Sequence, residues 1–451
     1  MASPGARRLS LLAPWIGNDC TSTDQSLRPP PIPWSGLAAE FFQDYRSLHD
    51  IYRYMEDLAA KHPNFVALRE IGRSWEGRPL RALEITDFNS GDAAKKPCIF
   101  LEAGIHAREW IAPSTLLYIA GGLVREAGTA EVQKYLQDFV FTLLVPVNPD
   151  GYLYSWEVDR MWRKTRSNRT DYQCYGKTAG VDANRNWGLT FGITHNSFYE
   201  QSLHNPCTEV FIGPAPFSEP ETKAASEYME KRQRRSLQTR EAGVPGDGYV
   251  AAFIDYHSFA QAMLPPWAVT AKTPANPDGS YQTAMTTAVN QAFKQVSGRH
   301  FDAGADVFPP DPGTGPDWAF GHLGVRATMT IELEGRSFCL PAAQIESVGA
   351  EQWAGVKALA AFLRAEGHAP STSFGLFSNG STSTNFTELL GAGRRAGEET
   401  SVPVYMTVIG IVASLALLLQ LAFIAKKCLH GRRTRQHFVE LPSMSELEEG
   451  E

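Results

Sequence analysis

The chain has 451 residues, of which 43% are hydrophobic and 20% are charged, and its formal net charge at pH 7 is −7. This composition is typical of a globular protein with enough apolar material for one large core, and the length allows two or three domains. The acidic balance lacks the electrostatic signature of a nucleic-acid-binding protein, so we expect no nucleic-acid partner. We expect the protein to be a monomer.

The first 35 residues are rich in Pro, Ser and Arg and predict a loose N-terminal segment. A helix is predicted at 45–61, because apolar residues recur there at helical spacing before the His-Pro-Asn at 62–64. Strand-like patterns follow at 80–86, 98–104, 139–147, 250–256 and 326–333. Helical patterns alternate with them at 113–126, 220–232, 281–296 and 351–366. The alternation predicts an α/β domain over residues 36–367, with a mixed central β-sheet flanked by helices.

A basic run, Lys231-Arg232-Gln233-Arg234-Arg235, follows the pattern of the second predicted helix. We expect this run to lie in a surface loop. It has two interpretations, a solvated charged loop and a cleavage site of the proprotein-convertase type.

The C-terminal part of the chain has the pattern of a membrane anchor. Residues 368–403 are rich in Ser, Thr, Gly and Asn and predict a stalk. Residues 404–425 carry no charged side chain over 22 positions, which is long enough for one transmembrane helix. Five Lys or Arg residues follow between 426 and 435, whereas Arg394 and Arg395 on the other side are offset by Glu398 and Glu399. The positive-inside rule therefore predicts a single-pass protein with residues 426–451 in the cytosol and the domain at 36–367 extracellular or lumenal.

Other features of the sequence agree with export. Three N-x-Ser/Thr sequons begin at Asn168, Asn379 and Asn385 and predict glycosylation on an exported surface. The apolar run at 9–13 is too short for a signal peptide. We favour a signal peptide missing from this sequence over insertion through the C-terminal helix.

A candidate metal motif closes the strand-like pattern at 98–104. His106 and Glu109 are three positions apart, so an imidazole and a carboxylate can converge on one ion. His257 directly follows the pattern at 250–256, and strand ends at the carboxyl edge of a sheet are where α/β proteins place their sites. Two histidines and one glutamate leave a fourth zinc position for water, as catalytic zinc sites require.

The surrounding motifs extend this pattern over most of the chain. They are Gly-Arg-Ser-Trp-Glu-Gly-Arg-Pro at 72–79, His-Ala-Arg-Glu at 106–109, Asn-Pro-Asp-Gly-Tyr at 148–152, Arg-Met-Trp-Arg-Lys at 160–164, Val-Asp-Ala-Asn-Arg-Asn-Trp at 181–187, Phe-Ser-Glu-Pro-Glu-Thr at 217–222, Thr-Ile-Glu-Leu at 330–333 and Leu-Pro-Ala at 340–342. With these motifs the chain resembles the zinc metallocarboxypeptidases of the pancreatic carboxypeptidase A and B type, from about 41 to about 366. The resemblance implies a hydrolase that removes C-terminal residues from peptides and binds one Zn²⁺ per chain.

The resemblance also implies the roles of the catalytic residues. His106, Glu109 and His257 hold the zinc, and Asp182 accepts a hydrogen bond from the first zinc histidine, which fixes the tautomer of the ring. Glu332 is the general base that takes a proton from the attacking water and hands it to the leaving amine. Glu334 points to the same strand face by periodicity, but the Thr-Ile-Glu-Leu match selects Glu332.

The substrate-binding residues follow from the same resemblance. They are Arg108, Arg160, Asn184, Arg185, Ser258, Phe259 and Pro316, while Arg163 faces the developing oxyanion. Arg185 offers a planar fork to the terminal carboxylate of the substrate. One departure is visible: the family has a mobile tyrosine ahead of the Asp-Trp pair at 317–318, whereas this chain has Phe-Pro-Pro at 308–310 and no tyrosine nearby. We expect weaker substrate binding from this loss.

The specificity pocket is predicted to be apolar. In the family, the residue before Asp317 selects the last side chain of the substrate, and here it is Pro316. Ala268 matches a position in another wall of the pocket. Neither residue supplies a countercharge. Both residues favour substrates with an apolar C-terminal residue. Asp311 is close enough in the sequence to keep basic C-terminal residues open as an alternative.

The cysteines and the overall function complete the predictions. Cys174 and Cys207 match positions that are bridged in the family, which implies a disulfide, while Cys98 in a strand is expected to be buried and free. We predict a membrane-anchored zinc exopeptidase. The main alternative is a catalytically weak membrane receptor that binds peptide C-termini, which the missing tyrosine favours and the intact zinc triad opposes.

Overall fold

The computed structural model describes residues 40–168, 173–174, 177–194, 197–241, 248–269, 278–304, 307–308 and 310–367. The predicted N-terminal segment, stalk, transmembrane helix and cytosolic tail lie outside these residues, as do the sequons at Asn379 and Asn385. Among the helices of the described stretches, none combines the length and the apolar character needed to cross a bilayer.

One mixed β-sheet forms the centre of the domain. Its strands are β1 (Val66–Arg73), β2 (Pro79–Ile85), β3 (Cys98–Ala103), β4 (Val140–Leu144), β7 (Val250–Ser258), β8 (Ala262–Leu264), β9 (Asp302–Ala303) and β10 (Ala327–Leu333), while β5 (Gln173–Cys174) and β6 (Lys177–Thr178) form a separate two-stranded ribbon. Within the described residues the sheet has eight strands in the order β1-β2-β4-β3-β7-β10-β8-β9. The neighbours β4, β3, β7 and β10 run parallel, and β2 and β8 flank this block as antiparallel strands.

Helices surround the sheet, as the alternation in the sequence predicts. They are α1 (Leu48–Lys61), α2 (Ile111–Arg125), α3 (Ala130–Asp138), α4 (Pro149–Glu157), α5 (Ser197–His204), α6 (Pro220–Glu241), α7 (Gly279–Ser297), α8 (Gly315–Leu323) and α9 (Ile345–Glu366). The first begins at the Ser47 cap, whose side chain accepts a hydrogen bond from the backbone N–H of Asp50. The α/β fold with a mixed central sheet is confirmed.

The central strands are buried on both faces. Every residue of β3 and of β7 is buried, as expected of parallel strands covered by helices on both sides. Side chains alternate between two core clusters, so Ile99 belongs to the cluster that contains Leu116 and Val356, whereas Phe100 belongs to the cluster that contains Trp187 and Phe253. Each such fully buried side chain contributes about 1.5–3 kcal/mol of hydrophobic free energy.

The prediction of a surface loop at 231–235 is wrong, because this run lies inside α6. No glycine or internal proline interrupts the sequence between Pro220 and Glu241, so the helix continues. Arg232 is buried, and its guanidinium lies 3.4 Å from Glu84 Oε1 and donates to the Tyr228 hydroxyl at 3.2 Å. A cleavage site here would require this part of the helix to open.

Strand β1 was not apparent from the sequence. It is an edge strand that buries only Val66 and carries charged residues, so it lacks the apolar run that marks the inner strands.

The topology brings three strand ends to one place. Because β3, β7 and β10 are adjacent and parallel, their carboxyl ends meet at the same edge of the sheet. Residues that follow or end these strands are therefore neighbours in space although they are far apart in the sequence.

Candidate metal centre and substrate site

A tight turn after β3 brings His106 and Glu109 to the sheet edge. Gly104 has a φ of +77°, and a Cβ on it would meet the side chains of Pro113 and Pro146 at 2.9 Å, so this turn requires glycine. His106 and Glu109 are both buried. The Oε1 atom of Glu109 lies 2.9 Å from Nδ1 of His106.

His257 completes a three-residue cluster from the neighbouring strand. Its Nδ1 lies 3.0 Å from His106 Nδ1 and 3.1 Å from Glu109 Oε2. One ligand atom from each residue lies within 4.8 Å of the other two. Burial alone would raise the pKa of Glu109, but His106 and His257 hold it well below its usual range.

The outer nitrogen of each histidine ring, Nε2, is within hydrogen-bond distance of a carboxylate. His106 Nε2 lies 3.0 Å from Asp182 Oδ1, and His257 Nε2 lies 2.7 Å from Asp255 Oδ2. When both rings are neutral, each Nε2–H donates to its carboxylate and each Nδ1 carries a lone pair directed at the other. A proton or a metal ion between the two Nδ1 atoms relieves the repulsion between these lone pairs. The donor set of two imidazole nitrogens and one carboxylate fits catalytic zinc.

Asp182 is a fully satisfied carboxylate that links the metal centre to a cation. Its Oδ2 accepts hydrogen bonds from Arg163 NH2 at 2.9 Å and Arg163 Nε at 3.2 Å, and its Oδ1 accepts from the backbone N–H of Asn184 at 3.1 Å. Burial raises the pKa of Asp182, but Arg163 and then His106 lower it well below its usual range. Arg163 NH1 lies 3.8 Å from Glu109 Oε1, so this guanidinium borders the candidate metal centre.

Asp255 is a partner of the metal centre that the sequence reasoning missed. It is a fully buried carboxylate on His257, and its Oδ1 has no hydrogen-bond partner. Glu102 is its register partner on β3, and neither oxygen of Glu102 has a partner. Burial, followed by the charge of Asp255, raises the pKa of Glu102 well above its usual range. The signal in the sequence was an acidic residue at the end of each of two otherwise apolar strands.

Glu332 lies on the next strand beside the cluster. Its Cα pairs in parallel register with that of His257, and register partners point to the same face of a sheet. Burial raises the pKa of Glu332 to about 8, and Glu109 adds to this while His257 and Arg163 oppose it. The charge of a bound cation lowers this value. Glu334 is engaged elsewhere, because its Oε2 lies 2.5 Å from Arg299 NH1.

Two further arginines that were predicted to bind the substrate are connected to the metal-ligand motif at 106–109. The guanidinium of Arg108 stacks 4.3 Å above the Phe338 ring and lies 3.0 Å from Glu209, while Arg160 donates to the backbone oxygens of Arg108 and Phe338 at 2.7 Å each. Phe259 packs edge-on against Phe338 with 4.9 Å between the ring centroids.

The backbone N–H of Ser258 donates to Glu109 Oε2 at 3.2 Å. Ser258 therefore lies at the metal centre itself.

A comparison with known protein families agrees with this geometry. The family model for zinc carboxypeptidases matches residues 51–355. The chain belongs to the zinc carboxypeptidase family.

The chain is similar to individual metallocarboxypeptidases, among them members of the A and B types. Carboxypeptidase A2 from Rattus norvegicus is 34% identical over 329 residues, which make up 72% of this chain and 71% of the relative. Carboxypeptidase B from Astacus astacus is 32% identical over 331 residues, or 71% of this chain and 98% of the relative. An inactive metallocarboxypeptidase from Saccharomyces cerevisiae is 31% identical over 337 residues, covering 72% of each chain.

Solved structures share the fold. Bovine thrombin-activatable fibrinolysis inhibitor, in complex with a tick carboxypeptidase inhibitor, matches with a TM-score of 0.61 at 27% identity over 72% of this chain and 99% of the other. Carboxypeptidase A from Helicoverpa armigera matches with a TM-score of 0.61 at 26% identity over 72% of this chain and 75% of the other.

The metallocarboxypeptidase departs from the sequence-based expectation at Arg185, which does not present an open fork. Its NH2 lies 2.7 Å from Asp311 Oδ1, its Nε donates to the Tyr199 hydroxyl at 3.1 Å, and its NH1 donates to the backbone oxygen of Asn184 at 2.9 Å. Tyr199 in turn donates to Asp311 Oδ1 at 2.8 Å. Burial lowers the pKa of Arg185, but Asp311 and Tyr199 raise it above its usual range. We call Arg185, Tyr199 and Asp311 the clamp cluster.

Tyr199 was missed by the sequence reasoning, which found no tyrosine close to the Asp-Trp pair along the chain. It comes from α5, far from Asp311 in the sequence, and no motif marks it. Asn184 connects the clamp cluster with the metal centre. It is the residue before Arg185, and its Nδ2 is 3.1 Å from His257 Nε2.

The predicted pocket walls lie beside the clamp cluster. Asp317 accepts hydrogen bonds from the backbone N–H groups of Ala268 at 2.8 Å and Val269 at 3.0 Å, and burial raises its pKa to about 7. Pro316, next to Asp317, is buried in the first turn of α8. The backbone N–H of Asp311 donates to the Ala268 oxygen at 2.8 Å, which places an acidic residue against the predicted apolar wall.

The cysteine predictions are confirmed. Cys174 and Cys207 form a disulfide, and Cys98 is buried and free. Cys339, which the sequence left unassigned, is also disulfide-bonded.

Proposed function

We propose that the protein is a zinc-dependent exopeptidase that hydrolyses the C-terminal peptide bond of peptides and proteins. The observation that carries this proposal is the convergence of His106, Glu109 and His257 at the carboxyl edge of the sheet, with Glu332 in register beside them. A structural zinc would be enclosed by four protein ligands, whereas three ligands leave a position for chemistry.

Glu332 is the proposed general base. When bound, zinc polarises the scissile carbonyl and acidifies a water ligand. The Glu332 carboxylate takes the proton of the attacking water and transfers it to the nitrogen of the leaving amino acid, so the carboxyl group returns to its starting state. Glu332 lies near the end of β10, whose other residues are all buried.

Arg163 is the proposed stabiliser of the negative charge that develops on the carbonyl oxygen. Asp182 holds the guanidinium through two hydrogen bonds, so the charge is fixed in place before the substrate arrives. The peptide is bound by Arg108, Arg160, Asn184, Arg185, Ser258, Phe259 and Pro316.

The preference for apolar C-terminal residues stays a prediction. Its support is the uncharged nature of Ala268 and Pro316. Against it stands Asp311, whose backbone is hydrogen-bonded to Ala268.

A catalytically weak receptor for peptide C-termini remains the second candidate. Two observations favour it: Arg185 is occupied by Asp311, and one relative is an inactive metallocarboxypeptidase. The presence of Glu332 beside a complete metal cluster favours the enzyme.

Zinc titration of the purified full-length protein separates these functions. After removal of metal with a chelator, release of C-terminal amino acids should rise with added zinc and level off at one zinc per chain. A receptor would bind peptides over the same titration without releasing amino acids. Release that is unaffected by the chelator would contradict a zinc-dependent reaction.

We further propose that the enzyme is anchored in a membrane by residues 404–425, with its catalytic domain extracellular or lumenal. The sequon that begins at the exposed Asn168 and the disulfide between Cys174 and Cys207 support export. An epitope at the C-terminus should be stained only after cells are permeabilised, and staining of intact cells would reverse the orientation.

A further inference from the structure

The clamp cluster holds an internal carboxylate where the proposed function requires an external one. If Arg185 binds the terminal carboxylate of the substrate, then Asp311 occupies that position in the free protein, with its Oδ1 at 2.7 Å from Arg185 NH2. The Arg185 side chain is 7% exposed and that of Asp311 is 32% exposed. The acid is therefore more exposed than the cation that it pairs with.

Two carboxylates cannot share this guanidinium without cost. The NH1 and Nε groups of Arg185 already donate to the Asn184 oxygen and to Tyr199, which leaves the position of Asp311 for a substrate carboxylate. A terminal carboxylate placed beside Asp311 would be repelled by it. Binding of a peptide therefore requires the Asp311 carboxylate to turn away.

The backbone limits how far Asp311 can move. Its N–H donates to the Ala268 oxygen at 2.8 Å, and the N–H of Gly313 donates to Thr190 Oγ1 at 2.7 Å. A Cβ on Gly313 would meet the backbone oxygen of Arg185 at 2.2 Å, so this part of the loop packs directly on the clamp. With its backbone held, Asp311 moves mainly by rotation of its side chain and stays near Arg185.

A displaced Asp311 then faces the last residue of the substrate. The terminal carboxylate and the last side chain are attached to the same Cα atom, so a carboxylate on Arg185 places that side chain close to Asp311. A lysine or arginine side chain supplies the cation that Asp311 has just lost, while its methylene groups contact the apolar walls at Ala268 and Pro316. An uncharged side chain leaves Asp311 without a charged partner.

We propose that Asp311 is a specificity residue that exchanges partners, from Arg185 in the free enzyme to the basic C-terminal side chain of the substrate. This inference rests on the proposed function. It favours peptides that end in Lys or Arg over those with apolar ends, the opposite of the preference predicted from the pocket walls alone.

Paired peptides test the exchange. Two peptides are compared that differ only in the last residue, lysine or norleucine, because norleucine keeps the apolar stem and lacks the ammonium group. The full-length, zinc-loaded wild type should favour lysine by at least about tenfold in kcat/KM, and Asp311→Asn should reduce this ratio about tenfold. Asp311→Glu, which keeps the charge, should retain most of the preference.

The matched control is Asp138→Asn, which removes an acid that lies 2.7 Å from Arg364 outside the site and should leave the ratio unchanged. A wild-type preference for norleucine would overturn the proposal. An equal increase of kcat/KM on both peptides in the Asp311→Asn variant would also overturn it, since Asp311 would then only block the site.

Binding measurements separate this inference from the proposed reaction. Calorimetry of both peptides with Glu332→Gln, in which turnover is blocked, should show the same lysine preference and its loss in the Asp311→Asn, Glu332→Gln double variant. If the wild type releases no amino acid but the binding preference depends on Asp311, the proposed reaction fails and the exchange stands. If release occurs and the preference ignores Asp311, the exchange fails and the reaction stands.

Discussion

The candidate site has two ends that differ in whether their binding groups are already paired. The metal end consists of His106, Glu109 and His257, and the clamp end consists of the clamp cluster. At the metal end, one ligand atom from each of His106, Glu109 and His257 lies within 4.8 Å of the other two, the arrangement that a metal ion requires. At the clamp end, Arg185 is already paired with Asp311. The metal end is prepared for its ligand before that ligand arrives, whereas the clamp end must give up an internal partner.

The largest effect is expected at the metal end. Glu332→Gln should lower turnover by about 10²–10⁴-fold, because the amide cannot accept the proton of the attacking water. Zinc content and the binding of product-like inhibitors should stay unchanged, since Glu332 is not a metal ligand. Steady-state kinetics with elemental analysis of the same sample checks this. If this variant kept the wild-type turnover, Glu332 would not be the general base.

The two outer carboxylates of the metal end can be compared directly. Asp182→Asn and Asp255→Asn should each weaken zinc binding by about 10–100-fold, because the zinc histidine loses the acceptor that fixes its tautomer. Competition with a chelator of known affinity measures this without reference to activity. If Asp255→Asn bound zinc like the wild type while Asp182→Asn did not, Asp255 would be only a buried acid and not a positioning residue.

Burial next to another acid raises the pKa of a carboxyl group, as it does for Glu102 beside Asp255. Glu221 allows a test of this effect away from the metal end. Burial, followed by the charge of Glu219, raises the pKa of Glu221 to about 8. A carboxyl with a raised pKa contributes stability that is complete below its unfolded pKa and is lost as the pH rises through the folded value.

Relative to Glu221→Gln, the wild type should therefore lose about 2 kcal/mol of unfolding free energy between pH 6 and 7.5. Urea unfolding at several pH values measures the difference, and the exposed Glu227→Gln is the control. A difference between wild type and Glu221→Gln that stays constant with pH would contradict the raised pKa.

The smallest effect is expected at the clamp end. Tyr199→Phe removes the hydroxyl that bridges Arg185 and Asp311, a hydrogen bond worth about 1 kcal/mol, or roughly fivefold in binding. We expect KM to change by about that factor and kcat to stay constant, because the hydroxyl lies in the clamp and not at the metal. Tyr135→Phe, outside the site, is the control. A change in kcat alone would place Tyr199 in the chemistry instead.

The sequence predicts the metal end of the site better than the clamp end. The metal ligands could be located because they follow strand-like patterns, whereas Asp182 and Glu332 were assigned through motifs shared with the zinc carboxypeptidases. Asp255 had a signal, an acid in an apolar strand, that went unused. The contact between Tyr199 and Asp311 could not be predicted, because it joins a helix and a loop whose positions depend on packing and not on any local pattern. The loop prediction for the basic run at 231–235 is wrong because a helix accommodates charged residues as well as a loop does.

The most direct test of the central claim compares one peptide as a free acid and as its C-terminal amide. Mass spectra of both are recorded after incubation with the zinc-loaded, full-length protein. The account predicts a ladder of products shortened one residue at a time from the free acid, and little or no product from the amide, because Arg185 must receive a terminal carboxylate. Equal cleavage of both peptides, or products cut at internal bonds, would contradict it.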